Sequence, residues 1–296
     1  MTIGERRFRY SEMVGRNLGF VTAEEQERLR DGSVFVCGVG GMGGACLMSL
    51  ARAGLGRVIV ADLDTFELSN LNRQLFADLD SVDQPKVDAT VRQLRLINPE
   101  MEIETHGGDW VDHLDGILGR APVVINGMDD IPCGIHLYRR ARAGGATVID
   151  AYTSPLPSVT VVAPGDPRPE ERLGFPSDGK DWRALDEDDI AGSMRRELEY
   201  VMTHSSSRHH VDLDVAAEMV RGDRPRMSFA PMVITAGSLM AFEAVNLLLE
   251  RPSGTDCRGY FFNPWTVRVE RPRHPLGAAL MGFVVRRFLD RLIDAD

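Results

Sequence analysis

The stretch CGVGGMGGACLMSLARAG, residues 37–54, decides how this chain is read. Glycines stand at 38, 40, 41, 43 and 44, after the apolar run SVFVC (33–37) and before a helical run. Gly38, Gly40 and Gly43 satisfy G-x-G-x-x-G. Small residues there let the backbone approach a phosphate, and the helix that follows offers its N-terminal amides to the negative charge. Asp62 closes the next apolar run, RVIVAD (57–62), where an acidic side chain can bond a ribose hydroxyl. By itself this fingerprint suits an NAD-type oxidoreductase.

Outward from the loop, the chain alternates strand and helix. SVFVC and RVIVAD read as the first two strands, MEIETH (101–106), PVVIN (122–126) and TVIDA (147–151) as the next three, and SPLPSVTVVAPGD as a turn and another strand. Thr22 followed by Glu25 is a capping-box spacing and starts a helix that Asp31-Gly32 ends. Residues 84–99 have helical spacing, with Pro85 suited to a first turn, and another helix runs from about Pro132 to Ala143. The rhythm predicts an α/β fold: a Rossmann-like, doubly wound sheet, parallel in its N-terminal half. Residues 1–32 form an N-terminal helical segment and 33–163 the nucleotide-binding domain. Residues 164–226 are polar and break the rhythm; they read as an insertion or lid with one or two helices, where substrate specificity would reside. Residues 227–296 return to the same domain with a long apolar helix (227–250), a hairpin (252–272) and an amphipathic tail. In that tail Met281, Val284, Val285, Phe288, Leu289, Leu292 and Ile293 share a face.

The segment 62–89 shifts the balance away from a redox dinucleotide. Arg73 and Lys86 place two cations at the carboxyl edge of the sheet, beside the glycine loop. A triphosphate under attack needs such charges, because negative charge develops on its oxygens. Lys86 lies in a first helical turn, where the helix dipole disfavours a cation unless an anion is near. Asn70 and Gln74 add neutral hydrogen bonds, and Asp64 joins Asp62 among the nucleotide contacts. The fourth strand ends in NGMDD (126–130), which brings Asp129 and Asp130 to the same edge; Asp129 can hold Mg²⁺ against the phosphates. Tyr152 and Thr153, after TVIDA, are candidate substrate contacts. HSSSRHHVDLD (204–214) is a poor metal set, because adjacent histidines do not share a face; it reads as a solvated or substrate-facing loop.

GVGGMGG, DLDTFELSNLNRQ, QPK and a strand ending in Asp together resemble the ThiF/MoeB/HesA family, the adenylating core shared with ubiquitin-activating enzymes. SFAPMVITAGSLMAFEAVNLL is similar to that family's apolar helix after its crossover loop. The resemblance spans roughly residues 8–250. It implies an ATP-dependent adenylyltransferase that activates a carboxylate: the C-terminus of a ubiquitin-like carrier protein, a peptide, or a small molecule. It implies that Gly40 and Gly41 pack the phosphates, Asp62 binds ribose, Asn70, Arg73 and Lys86 bind phosphate, and Asp129 holds magnesium. It further implies a homodimer in which an N-terminal arginine of the other subunit reaches ATP, with Arg16 or Arg9 in that role. The family's two CxxC pairs are missing, so no structural zinc is expected. Asp130 stands where an Asn is usual, and no cysteine occupies an obvious acceptor loop.

The bulk numbers set bounds. The chain has 296 residues, a net charge of −10 and a pI of about 5.3. Such acidity disfavours nucleic acid as a partner. Cys37, Cys46, Cys133 and Cys257 form no CxxC pair, which fits a reducing cytoplasm. No apolar run reads as long enough to span a bilayer, so no membrane association is expected. Two other readings compete: an NAD(P)-dependent oxidoreductase, which leaves Arg73, Lys86 and Asp129 unused, and a non-catalytic nucleotide-binding partner subunit, which their presence argues against.

Overall fold

The computed structural model describes residues 8–220 and 223–293. Two short helices lead in, α1 (Tyr10–Val14) and α2 (Ala23–Asp31). Thr22 and Glu25 close the capping box that starts α2. The alternating part follows as β1 (Ser33–Cys37), α3 (Gly41–Ala53), β2 (Arg57–Ala61), α4 (Lys86–Ile97), β3 (Glu102–His106), α5 (Trp110–Leu118), β4 (Val123–Asn126), α6 (Ile131–Gly144) and β5 (Thr147–Asp150). Then come β6 (Ser158–Val162), α7 (Pro169–Leu173), α8 (Glu187–His204), α9 (Leu213–Val220), α10 (Ala230–Leu248), β7 (Tyr260–Asn263), β8 (Arg268–Glu270) and α11 (Pro275–Ile293).

All eight strands join one sheet in the order β3-β2-β1-β4-β5-β6-β7-β8. β1 to β5 are parallel, while β6, β7 and β8 run antiparallel. The strand order reverses between β1 and β4, and in doubly wound sheets ligands bind at that switch point. Alternate strand residues feed two cores. Val34, Val36, Val58, Val60 and Ile125 pack with α3, α4 and α10 on one face. Phe35, Cys37, Ile59, Ala61 and Val124 pack with α5 and α6 on the other.

Several expectations are corrected. The region 164–226 holds three helices among the described residues, not one or two; α7 and α8 bury Glu170, Asp189 and Ser193 against their neighbours. Helix α5 was not anticipated; its face Trp110, Leu114, Ile117 and Leu118 is apolar, but so short a run is ambiguous by pattern. Pro85 is the N-cap of α4 rather than a first-turn residue. In the tail, Val285 and Leu289 are buried whereas Val284 is exposed, because α11 presents a narrower stripe to α8 than the pattern suggested. The side chains of Leu292 and Ile293 lie outside the described residues. Helix α10 is, by length and composition alone, apolar enough to cross a membrane, against the reading that no such run exists. It packs instead on α3: a Cβ at Gly237 would lie 2.5 Å from Met42 O, and Ala236, Met240 and Ala244 are buried.

Candidate functional site

The glycine loop is held by close backbone approach. Gly38 has φ of +87° and no space for a side chain, since a Cβ would stand 2.6 Å from the carbonyl carbon of Gly127. A Cβ at Gly43 would fall 2.0 Å from Gly38 O. The start of α3 is thereby locked against the ends of β1 and β4. Gly41 is also a packing position, because a Cβ there would meet Val233 Cγ1 at 2.6 Å. Gly40 differs: its nearest outside neighbour is the Gln74 amide, at 3.6 Å from a built Cβ. Gly40 is the N-cap of α3 with no side-chain cap, so the first amides of that helix are left for an anion.

The other predicted residues converge on this loop. Asp62 accepts the Val39 amide at 2.8 Å and the Asp64 amide at 2.9 Å, tying the end of β2 to the loop. Burial raises its pKa, opposed by these hydrogen bonds and by Lys86. Lys86 is buried, and its Nζ lies 2.7 Å from Asp64 Oδ2. The Arg73 Cγ is 4.0 Å from a Cβ built on Gly41, and its Nη1 donates to Ser69 O and Asn72 Oδ1. Gln74 is buried with its Oε1 unpartnered. Asn70 is buried and accepts the Glu67 amide, so part of its hydrogen-bonding capacity shapes the turn that presents Arg73. Asn72 Nδ2 bonds Ser228 O at 3.0 Å and links this turn to the segment that leads into α10.

Asp129 is exposed in the loop after β4, with Arg226 Nη1 3.9 Å from its Oδ2. Asp130 Oδ1 accepts the Cys133 amide at 2.7 Å and caps α6. Arg16 sits at the far end of α3. Its neighbour Asn17 donates to Ala53 O, whereas the glycine loop lies at the start of that 13-residue helix, roughly 20 Å away at 1.5 Å per residue. Within one chain Arg16 is therefore remote from the loop. Arg9, the alternative, pairs with Glu12.

Past Asp129 the crevice continues into a chamber of about 520 Å³ between α6, the ends of β5 and β6, and the helices of the 164–226 region. Ile131, Ile135, Leu173, Phe175, Met194 and Leu198 make it largely apolar. Tyr152 and Thr153 line it, and the Thr153 amide donates to Glu197 Oε1 at 2.6 Å. Three of its polar residues were missed in the sequence. Asp150, at the end of β5, accepts from Tyr138, Asn126 and the Ala151 amide, and burial pushes its pKa up to about 7. An acidic residue closing an apolar strand was the available signal. Burial likewise raises the Glu197 pKa. Arg172 Nη2 donates to Tyr152 Oη at 2.8 Å, and its guanidinium lies 4.8 Å over the Tyr200 ring. Arg172 Nε and Nη1 are buried without partners. Nothing in its neighbourhood in sequence distinguishes Arg172 from the other arginines of this polar stretch.

The stretch 204–214, read as a solvated or substrate-facing loop, is packed over its first residues and solvent-exposed at His209 and at 212–214, and it does not face the chamber. Ser205 and Ser207 are buried, Ser206 bonds Glu270, and Asn263 donates to His210 Nε2 at 3.0 Å. None of its residues lines the chamber. Cys37, Cys46 and Cys257 are buried and Cys133 half-buried. Burial raises the pKa of all four thiols, that of Cys133 to about 12. Such thiols are poor nucleophiles.

The fold and site define a class: a doubly wound α/β protein with a glycine loop at its switch point that opens an uncapped helix start, beside Arg73 and Lys86. Within that class the chain belongs to the ThiF family, whose model matches residues 14–278. It is 44% identical over 97 residues to the ubiquitin-like modifier-activating enzyme 5 of Drosophila ananassae, a match covering 32% of this chain and 24% of that protein. It is 43% identical over 88 residues to the tRNA threonylcarbamoyladenosine dehydratase of Bacillus subtilis, covering 30% of this chain and 35% of that one. The chain thus matches only about a quarter to a third of the length of these relatives. The fold is similar to that of the microcin C7 biosynthetic enzyme MccB in complex with N-formylated MccA. That likeness has a TM-score of 0.59 and 17% identity, over 85% of this chain and 68% of MccB. PaaA is similar with a TM-score of 0.58 and 21% identity, over 89% of this chain and 79% of PaaA.

Proposed function

We propose that this chain uses ATP to adenylate a substrate carboxylate. The observation that carries the reading is the gathering of an uncapped helix start at Gly40, Arg73 beside Gly41, Asp62 on the Val39 amide and Lys86 on the neighbouring Asp64 around one glycine loop. The carboxylate oxygen attacks the α-phosphorus and pyrophosphate leaves. The protein's task is to hold the triphosphate in line and stabilise charge that grows on its oxygens. In this reading Lys86, paired with Asp64, and Arg73, on its turn, supply that charge from positions beside the loop. Asp129 is the residue to hold Mg²⁺, which would neutralise phosphate charge; Arg226 beside it marks a position where a cation is favoured. The fold shared with E. coli MccB, a protein solved with ATP, supports the same reading.

The substrate enters through the chamber beyond Asp129. Its apolar lining takes an uncharged body, and Arg172, which makes no ion pair among the described residues, takes an acceptor group on it. A peptide or the tail of a small carrier protein satisfies both demands. MccB was solved with the peptide MccA, and the modifier-activating relatives carry ubiquitin-like partners in their names. The active assembly in this reading is a homodimer with Arg16 reaching the neighbour's phosphates. Arg16 lies a helix length from its own loop, and exposed Leu18, Phe20 and Phe242 supply apolar surface for association.

Thermal-shift measurements test the first step: ATP with Mg²⁺ raises the melting point while NAD and NADP do not. Stabilisation by NAD alone would sink the reading. Mixing inactive Arg16→Ala with inactive Lys86→Ala, once subunit exchange is shown, restores activity if the sites are shared. No recovery would place Arg16 outside the site.

A further inference from the structure

Away from the glycine loop, at the outer edge of the sheet, β3 and α5 bring together an unassigned set of side chains. Strand periodicity puts Glu104 and His106 on one face of β3, and helix periodicity puts Asp109 and His113 on one face of α5. The turn Gly107–Gly108 folds the two faces together, so the sequence H-x-x-D-x-x-x-H becomes one cluster.

The polar contacts are ordered as in a ligand set. Arg120 holds the Glu104 carboxylate through both terminal guanidinium nitrogens, Nη2 at 2.8 Å from Oε1. Glu104 Oε1 lies 2.8 Å from His106 Nε2. A carboxylate only accepts, so Nε2 is the donor in this contact, and Nδ1 is the ring nitrogen that faces Asp109. Asp109 occupies the N-cap of α5, yet its side chain makes no capping bond. Its Oδ1 accepts the Gly107 amide, and its Oδ2 stands 4.0 Å from His106 Nδ1 and 3.6 Å from His113 Nε2. These gaps are too long for hydrogen bonds. The three donor atoms nevertheless lie within 4.8 Å of one another.

We propose that His106 Nδ1, Asp109 Oδ2 and His113 Nε2 form a binding site for a divalent transition-metal ion of the zinc type. Two imidazoles and one carboxylate suit zinc, cobalt, nickel or copper; magnesium and calcium require oxygen sets. Donors around a tetrahedral ion at about 2.0–2.1 Å stand roughly 3.3–3.4 Å apart, so the set closes by about 1 Å on binding. His106 is the fixed member, with 13% of its side chain exposed; His113, 59% exposed, has room to rotate inward, and Asp109 keeps Oδ1 on the Gly107 amide while offering Oδ2. Glu104 behind His106 supplies the carboxylate–histidine–metal relay that orients such ligands. A fourth position stays open to solvent. A bound ion fixes the Gly107–Gly108 turn, which lies against Leu63, the residue after Asp62: a Cβ on Gly108 would be 3.3 Å from Leu63 Cδ2.

The test needs neither ATP nor a substrate. Metal-stripped full-length protein is titrated with Zn²⁺ by calorimetry and with Co²⁺ by visible absorption. The expected result is one equivalent bound, a cobalt ligand-field band, and no competition from millimolar Mg²⁺. His113→Ala and Asp109→Asn, both at exposed positions, abolish that equivalent and the band. Glu104→Gln, which touches no metal, weakens binding by roughly 10–100-fold. His209→Ala leaves binding unchanged. The proposal is overturned if wild-type protein binds no zinc, or if His113→Ala keeps the same equivalent at the same affinity.

Discussion

The glycine loop and the chamber lie end to end in one crevice, yet they are built by opposite means. At the loop, backbone meets backbone: Gly38, Gly43 and Gly127 approach so closely that a single added carbon would collide. At the chamber, side chains from α6 meet helix α7 through ion pairs, and the segment between α7 and α8 pairs with α8. Arg139 grips Glu170 with Nε at 2.9 Å and Nη2 at 2.7 Å, Arg168 adds a contact at 3.2 Å, and Lys180 pairs with Asp189. The loop tolerates almost no change in shape. The chamber wall is a cap fastened by charged side chains, and its apolar lining can vary without moving the loop. In the proposed reading, an end of fixed geometry that handles phosphate is joined to a recognition end that sequence change can reshape.

If that contrast is right, the largest effect on stability comes from Glu170→Ala. Only 1% of the Glu170 side chain is exposed, and its loss takes the buried carboxylate from the partly buried Arg139 and Arg168, which keep Lys180 O, Ser177 O and Glu171 as partners, a change that costs about 2–3 kcal/mol. Urea unfolding should show this loss while ATP binding by the residual folded protein is kept. Loss of ATP affinity in that folded fraction would show that the two ends are coupled.

Next come Lys86→Ala and Arg73→Ala, each expected to lower adenylation by about 10²–10³-fold, with the fold retained. ATP–pyrophosphate exchange with a turned-over substrate is the measurement. A variant with near-normal exchange would remove that residue from the phosphate site.

Asp150 gives the chamber a pH signature. Its folded-state pKa of about 7 exceeds that of the unfolded chain, so between roughly pH 4 and 7 the folded state holds the extra proton. Its contribution to stability therefore falls as pH rises through that window. Denaturation midpoints across pH 4–8 should drop more steeply for the wild type than for Asp150→Asn; identical slopes would mean that the carboxyl titrates normally.

The smallest effect belongs to the boundary between the two ends. Asp130→Ala removes the cap of α6 and should destabilise by about 1 kcal/mol. A much larger fall in adenylation than in stability would move Asp130 from helix cap to nucleotide contact.

The placement of the glycine-loop end was legible in the sequence because it is set locally. Gly38 to Gly44, Asp62, Arg73, Lys86 and Asp129 each follow a strand end, and parallel strands bring successive carboxyl ends to one edge. The capping box at Thr22, the strand runs and the doubly wound order were readable for the same reason: each depends on neighbours within a turn or two. Other features were decided only by tertiary structure. Arg172 and Asp150 line one chamber because the helices inserted after β6 fold back over α6, and no periodicity encodes that return. The histidines at 204–210 read as a poor ligand set, and among the described residues the structure gathers none of them with other ligand donors, whereas His106 and His113 drew no notice and converge. Side-chain chemistry can be read one residue at a time. Convergence cannot, because it depends on how a turn such as Gly107–Gly108 aims two elements at each other.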